Sequence, residues 1–290
     1  MRNARRIATA LACALLGCAG PSPQPARAPV ERGTAEVAAP QRKPAEAPPL
    51  LQLPRDVHPL HYALDMRIAP DEEHFAGTAR IDVRLDEPRD VIWLHGRGLE
   101  VREATVAGIP ARYEQVNPEG LARLVTDRPI GPGTVALQLS WEREFDPQIV
   151  GLYRTQEAGR RYAYTQFEAV DARRAFPGFD EPDFKTPFDV TLTVPENLVA
   201  IANTSPAGEE NVGNGLKKIR FATTKPLPTY LLLWAVGPFD VVAPPALEPN
   251  DLRSRPLEVR GVAPEGRGGE LEFALKTGAD LLLLLEQYFG

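Results

Sequence analysis

The stretch that decides the fold is LHYALDMRIAPDEEHFAGTARIDVRL, residues 60–85. Every second residue from Leu60 to Ile68 is apolar, and the pattern returns from Phe75 to Leu85, with Ala79, Ile81, Val83 and Leu85 predicted to point inward. Successive side chains of a β-strand point to opposite sides, so a period of two predicts a strand with one buried face. We therefore predict two half-buried strands separated by a polar turn.

The same alternation continues through the middle of the chain. It recurs in residues 134–141 and 188–194. Shorter predicted strands are 91–94, 99–106, 121–126, 161–168, 198–203, 217–222 and 230–237. Turn signals such as Gly131-Pro132-Gly133 separate them, and no helical period is visible between residues 60 and 245. Many short alternating strands predict a mainly β fold, an antiparallel β-sandwich or saddle-shaped pair of sheets covering residues 53–245.

Beyond residue 245 the pattern changes. Residues 256–262 are compatible with one more strand, and Gly269–Phe289 is a helix candidate. The residues on its expected buried face are Leu271, Ala274, Leu275, Gly278, Leu282 and Leu285. The run from Leu281 to Leu285 is apolar on nearly all sides, which is typical of a buried helix. We therefore expect residues 246–290 to be the first strand and helix of an incomplete α/β domain.

The N-terminus has the features of an export signal. Three arginines precede an apolar run from Ile7 to Leu16, which is too short to span a bilayer. Leu15-Leu16-Gly17-Cys18 resembles the lipobox of bacterial lipoproteins, which implies removal of residues 1–17, acylation of Cys18 and attachment to a membrane of the bacterial cell envelope. The alternative is an ordinary secretory signal with an incidental cysteine. Residues 18–52 are rich in proline and alanine and predict a disordered tether.

Charge and cysteine content exclude several function classes. The net charge is −6 and the isoelectric point is about 5.4, with no basic run after the first six residues. Nucleic-acid-binding domains carry a basic face, so we expect no nucleic-acid partner. Cys13 and Cys18 are the two cysteines. Because Cys13 lies in the predicted signal, no intramolecular disulfide and no thiolate metal site are expected in the mature chain.

A second stretch, TQFEAVDARRAFPGFDEPDFK, residues 165–185, carries the candidate chemistry. Residues two apart on a strand share a face, so Gln166 and Glu168 are predicted to project together. Together they offer an amide oxygen and a carboxylate, which suit an ammonium group. The spacing alone favours a solvated strand face followed by a charged surface turn, because a polar strand face is ordinary. The acidic and basic residues from Asp171 to Glu181 are expected to form internal ion pairs.

These residues resemble the N-terminal domain of zinc aminopeptidases related to aminopeptidase N. The family pattern is close to T-Q-F-E-x-x-x-A-R-R-x-F-P-C-x-D-E-P-x-F-K, and this chain departs from it at Gly178, where cysteine is usual. Further matching segments are Phe75-Ala76-Gly77, Ile92-Trp93-Leu94-His95, Gly151-Leu152-Tyr153-Arg154, TKPLPTYLL at residues 224–232 and Gly237-Pro238-Phe239. The resemblance covers residues 55–290 and implies that 246–290 begin a metallopeptidase catalytic domain.

The resemblance also implies roles for the two candidate residues. Glu168 would help to bind the free α-amino group of a peptide, and Gln166 would line the pocket for its first side chain. Complete enzymes of the family use zinc held by H-E-x-x-H, together with G-A-M-E-N, and neither motif occurs here. His58 and His61 have a three-residue spacing, but Pro59 and the strand pattern argue against helical ligand geometry. No catalytic residue and no metal ligand are therefore expected in this chain.

Two hypotheses follow from the sequence. In the first, the chain is the N-terminal domain of a zinc aminopeptidase-like lipoprotein, truncated before the zinc motif, inactive alone and completed by a missing catalytic domain or another chain. In the second, it is a non-enzymatic, lipid-anchored β-sandwich that serves as a binding or scaffolding module. Peptide N-termini are expected partners under both.

Overall fold

The computed structural model describes residues 47–290. The predicted signal, the predicted lipid site at Cys18 and most of the predicted tether lie outside the described residues. Within residues 47–290, no helix combines the length and the apolar character that crossing a bilayer requires.

The described chain consists mostly of β-strands. In chain order they are β1 (Val57–Arg67), β2 (His74–Leu85), β3 (Arg89–His95), β4 (Glu100–Val106), β5 (Ile109–Pro110), β6 (Arg112–Gln115), β7 (Leu121–Ile130), β8 (Gly133–Glu144), β9 (Gly151–Glu157), β10 (Arg160–Gln166), β11 (Phe188–Pro195), β12 (Val199–Ala202), β13 (Pro206–Gly213), β14 (Leu216–Phe221), β15 (Trp234–Gly237), β16 (Phe239–Val242) and β17 (Gly261–Pro264). Short 3-10 segments lie at Ala172–Arg174, Thr229–Leu231 and Gly268–Leu271, and the helix α1 is Glu272–Phe289.

The largest sheet of the described residues has eight strands, in the order β13-β14-β11-β1-β2-β8-β4-β5. Its pairings are antiparallel except for β1 with β11. Smaller sheets have the orders β12-β15-β10-β9 and β3-β7-β6, and β16 pairs with β17. The prediction of a mainly β, largely antiparallel fold is confirmed.

The strand predicted from the opening stretch is present with one local error. Tyr62, Leu64, Met66 and Ile68 are buried as expected, but Leu60 is 41% exposed. The pairing of β1 with β2 shifts register between Pro59 and His61, so the alternation changes phase there. A β-bulge of this kind moves the preceding side chains to the other face.

The core consists of one large cluster and a small second cluster of Tyr162, Ala235 and Phe239. Trp93, Trp141 and Trp234 are all about 98–99% buried within the large cluster. Trp141 donates its indole N–H to the carbonyl oxygen of Ala175 at 2.9 Å. Phe167 and Phe176 pack edge to face, with ring centroids 6.0 Å apart, and both contact Trp234. This aromatic group lies directly beneath the chain that follows β10.

The C-terminal segment differs from the prediction in its details. The expected strand at 256–262 is found instead at Gly261–Pro264, where β17 pairs with β16. The predicted helix is present as α1, but none of its residues is buried. Of its expected buried face, Ala274, Gly278 and Leu285 are exposed. The described chain supplies packing partners on one side of α1 only, and the opposite side exposes Phe273, Leu284 and Tyr288 at 78%, 63% and 78%.

Candidate functional site

The candidate residues lie at the end of β10. This strand ends at Gln166, and Glu168 belongs to the turn of residues 168–171, so the predicted strand was two residues too long. Ala163 and Phe167 are buried, whereas Gln166 and Glu168 are exposed. Gln166 is therefore open as predicted, but Tyr162 on the same face of β10 is buried, and Thr165 on the predicted core face is only partly buried.

Both polar groups are available to a ligand. Among residues 47–290, neither the Gln166 nor the Glu168 side chain has a hydrogen bond or ion pair within the protein. On β9, the residue paired with Gln166 is Gly151, which has no side chain to cover it. An amide and a carboxylate without internal partners can both accept hydrogen bonds from a bound ammonium group.

Tyrosines continue the same face away from Gln166. Tyr164, two residues earlier on β10, pairs across the strands with Tyr153, and their ring centroids are 6.0 Å apart. Burial raises the pKa of the Tyr164 phenol to about 12, so its hydroxyl stays protonated at neutral pH. The exposed amide of Gln166 and carboxylate of Glu168 thus lie next to a partly buried aromatic surface.

The turn after Glu168 is closed and braced by charge. The backbone N–H of Asp171 donates to the carbonyl oxygen of Phe167 at 2.9 Å. Arg174 donates from Nε to Asp171 Oδ1 at 2.6 Å and from Nη1 to Asp146 Oδ2 at 2.8 Å. The expected ion pairs are present, and Asp146 is a partner that the motif itself does not contain.

A second ion pair lies deeper in the same segment. Arg173 donates from Nε to Asp180 Oδ2 at 2.8 Å, and the Thr229 hydroxyl donates to Asp180 Oδ1 at 2.5 Å. The backbone N–H of Asp180 donates to Nδ1 of His95 at 3.2 Å. Burial, together with the neighbouring Arg173 charge, lowers the pKa of His95 to about 3, so its ring is neutral and accepts this bond. These contacts assign a structural role to Arg173 and Asp180.

The rest of the motif anchors the start of the folded chain. Glu181 accepts from the backbone N–H of Leu53 at 2.6 Å, and Arg55 pairs with Glu181 and Asp183 at 3.1 and 3.0 Å. Gly178, at the position where the family has cysteine, is buried beside Tyr62. A Cβ atom there would lie 3.1 Å from the Tyr62 ring, a tight contact that a small residue avoids.

The described residues do not fit a zinc site. Within residues 47–290, no group of three or more histidine, cysteine, aspartate or glutamate side chains is arranged to hold a metal ion. His58 pairs with Asp86 at 2.8 Å, His61 with Asp189 at 3.1 Å and His74 with Glu144 at 3.8 Å. His95 is buried in the network around Asp180. His58 and His61 lie on β1, His74 on β2 and His95 on β3, and each has a different partner.

Sequence reasoning missed the supports of the site. Asp146, Gly151 and His95 are far from the motif in sequence, and only the pairing of strands brings them beneath it. One signal was available for Gly151, since an isolated glycine beside apolar and aromatic residues indicates a special backbone conformation. Its φ is +63°, in the left-handed region.

Comparison with known proteins gives a consistent result. Residues 58–231 match the family model described as Peptidase M1 N-terminal domain. Aminopeptidase M1-B of Oryza sativa subsp. japonica is 32% identical over 255 residues, covering 82% of this chain and 27% of that protein. Aminopeptidase 2 of Candida albicans is 31% identical over 246 residues, with 82% and 26% covered. Aminopeptidase N of Acetobacter pasteurianus is 31% identical over 245 residues, with 82% and 67% covered.

The chain thus spans about a quarter of the length of the rice and Candida relatives and two thirds of the Acetobacter relative. The matched region includes the eight-stranded sheet and the whole of the stretch from Thr165 to Lys185. On this evidence the chain belongs to the family of peptidase M1 N-terminal domains.

Proposed function

We propose that this chain supplies the part of a zinc aminopeptidase that recognises the free amino terminus of a peptide substrate. Glu168 binds the α-ammonium group, and Gln166 lines the pocket for the first side chain. The observation that carries the proposal is that both side chains are exposed and have no partner among the described residues, while the turn beneath them is braced by buried ion pairs. An ammonium group donates three hydrogen bonds, which a carboxylate and an amide oxygen can accept together.

Hydrolysis in this proposal depends on residues beyond those described. In a complete enzyme of the family, bound zinc would supply activation of water for hydrolysis. Because the described residues do not fit a zinc site, the chain alone is proposed to be inactive. The exposed apolar side of α1 supports a role in which further protein covers it, since large apolar patches mark interaction surfaces. Acylation of Cys18 and attachment to the bacterial cell envelope are part of the same proposal.

The test uses NMR titration to measure the affinity of the purified protein for a short peptide with a free amino terminus and for the same peptide with an acetylated amino terminus. Glu168 is exposed, so its pairing with an ammonium group in this chain is worth about 0.2–1 kcal/mol, or roughly 1.5- to 5-fold in affinity. We expect the free-amine peptide to bind more tightly by this factor and Glu168→Gln to abolish the difference.

Glu144→Gln is the matched control, because Glu144 is a strand-end carboxylate with a 77% exposed side chain. It should leave the preference unchanged. Equal affinity of the wild-type protein for the two peptides would refute amine recognition by this chain. Zinc-dependent hydrolysis of an aminoacyl anilide by the purified protein would refute the proposed inactivity.

The alternative function is a binding module without enzymatic activity. It is favoured by one observation, that the polar pair and its supporting ion pairs are formed completely within this chain. This alternative would be supported if the purified protein alone preferred free-amine peptides by a factor far above the one expected for an exposed ion pair.

A further inference from the structure

One arginine, Arg174, contacts both the turn that carries Glu168 and the strand that pairs with Gln166. The Arg174 side chain is 16% exposed and lies at the end of the 3-10 segment that follows the Glu168 turn. Its guanidinium group bridges Asp171 Oδ1 at 2.6 Å and Asp146 Oδ2 at 2.8 Å. Asp171 also closes the turn through its backbone bond to Phe167. Arg174 therefore holds the C-terminal end of the turn that carries Glu168.

The same side chain contacts the strand that supports Gln166. A Cβ atom built on Gly151 would lie 2.8 Å from Cβ and 3.2 Å from Cδ of Arg174. Gly151 is the residue that pairs with Gln166 across β9 and β10. The aliphatic part of Arg174 thus fills the space that a side chain at Gly151 would take, next to Gln166.

The partner of Arg174 is itself fixed. The Asp146 side chain is 2% exposed and also accepts from Arg143 Nη2 at 2.9 Å and from the backbone N–H of Gln148 at 3.2 Å. The backbone N–H of Asp146 donates to the carbonyl oxygen of Leu152 at 2.9 Å. Arg143 also donates to the carbonyl oxygen of Arg174. The bridge is therefore built on β8 and β9, which belong to the sheets and not to the turn.

We propose that Arg174 is a positioning residue, which locks the turn of residues 168–171 so that the Glu168 carboxylate stays on the same side as the Gln166 amide. The proposal rests on the proposed function and deepens it. Arginine is required because its planar fork can bridge two carboxylates at once, whereas the single ammonium of lysine can satisfy one of them well. Glu168, without a partner of its own, depends on this lock for its position.

The experiment compares wild type, Arg174→Lys and the control Arg161→Lys by two measurements. Arg161 lies on β10, is 46% exposed and is 4.0 Å from its nearest carboxylate, Asp71. The first measurement is hydrogen exchange of the Asp171 backbone N–H. The second is the ratio of affinities for the free-amine peptide and its acetylated twin.

For Arg174→Lys we expect exchange at Asp171 to accelerate about tenfold or more, with cooperative unfolding retained. The affinity ratio should fall to that of Glu168→Gln, whereas Arg161→Lys should change neither measurement. The proposal would be overturned if, in Arg174→Lys, the Asp171 backbone N–H exchanged at the wild-type rate and the affinity ratio were unchanged.

A second variant keeps the test decisive if Arg174→Lys fails to fold. Asp171→Asn weakens one arm of the bridge at a partly exposed side chain and leaves the pair of Arg174 with Asp146 intact, so it should show both effects in weaker form. If wild type shows no preference for the free amine, the proposed function fails. In that case the exchange result still decides whether Arg174 locks the turn.

Discussion

Replacing Asp180 with alanine should destabilise the fold more than any other single carboxylate change in the segment from Thr165 to Lys185. The Asp180 side chain is 2% exposed and its partner Arg173 is 11% exposed, so the pair is almost fully removed from water. Asp180 also accepts hydrogen bonds from the Thr229 hydroxyl and from the backbone N–H of Arg173. Alanine leaves these donors buried without an acceptor.

The magnitude follows from that burial. Breaking a buried ion pair by removing one partner costs about 3–5 kcal/mol, because an uncompensated charge is left behind. Asp183 offers the matched control in the same turn, since its side chain is 68% exposed and pairs with Arg55 at 3.0 Å. An exposed pair of this kind contributes about 0–1 kcal/mol. The two alanine variants should therefore differ by roughly 2–5 kcal/mol in the free energy of unfolding.

The assay is urea unfolding followed by circular dichroism and by tryptophan fluorescence. Asp180→Ala should lower the urea midpoint by roughly 1 M or more for a denaturant slope of about 3 kcal/mol/M, and Asp183→Ala by a few tenths of that. Equal midpoints for the two variants would refute the reasoning, because the assignment of Asp180 to structure depends on its burial. An Asp180→Ala midpoint within error of wild type would refute it directly.

Two further predictions concern residues outside the charged turn. Burial lowers the pKa of His95 in the folded chain to about 3, whereas the same histidine in the unfolded chain has a pKa near 6.5. Between these values the unfolded chain binds a proton that the folded chain does not. The free energy of unfolding therefore decreases as the pH falls from about 6.5 towards 3. Urea unfolding at pH 7 and pH 5 should show that His95 lowers the free energy of unfolding of the wild-type protein by about 2 kcal/mol between these pH values, and that His95→Gln lacks this decrease. The same pH dependence of the free energy of unfolding in both proteins would contradict the prediction. Gly77→Ala should destabilise by about 1–3 kcal/mol, because its Cβ would lie 2.6 Å from Met66 Sδ and 2.7 Å from Trp141 Cζ2. The control Gly269→Ala has nothing within 4 Å and should change the free energy of unfolding by less than about 0.5 kcal/mol, and similar effects of the two variants would count against the packing argument.

Strands with one buried face were predictable from the sequence, and strands without one were not. β2 and β11 alternate between buried and open positions along their whole length, so the local pattern predicted them closely. β9 and β13 lie at sheet edges, and β13 has no buried residue. In β9 only Gly151 and Leu152 are buried, so neither strand has a continuous apolar period, and neither was predicted.

The features of the candidate site likewise include some that were predictable from the local sequence and some that were not. The exposure of Gln166 on β10 followed from a period of two, whereas Glu168 is exposed in the turn beyond the strand. The ion pairs within the motif followed from its charges. The role of Asp146 did not, because it lies 28 residues from Arg174 in sequence. Gly151 likewise showed its importance only through its pairing with Gln166 and its contact with Arg174.

By itself, the amino-acid sequence determined the fold class, the family and the exposure of Gln166, because each depends on patterns between near neighbours. The tertiary structure alone decided how the candidate site is supported: the bulge that exposes Leu60, the bridge from Arg174 to Asp146 and the buried network around Asp180. These features depend on pairing between distant strands, and the register of such pairing is set by the packing of the whole core and not by any local period.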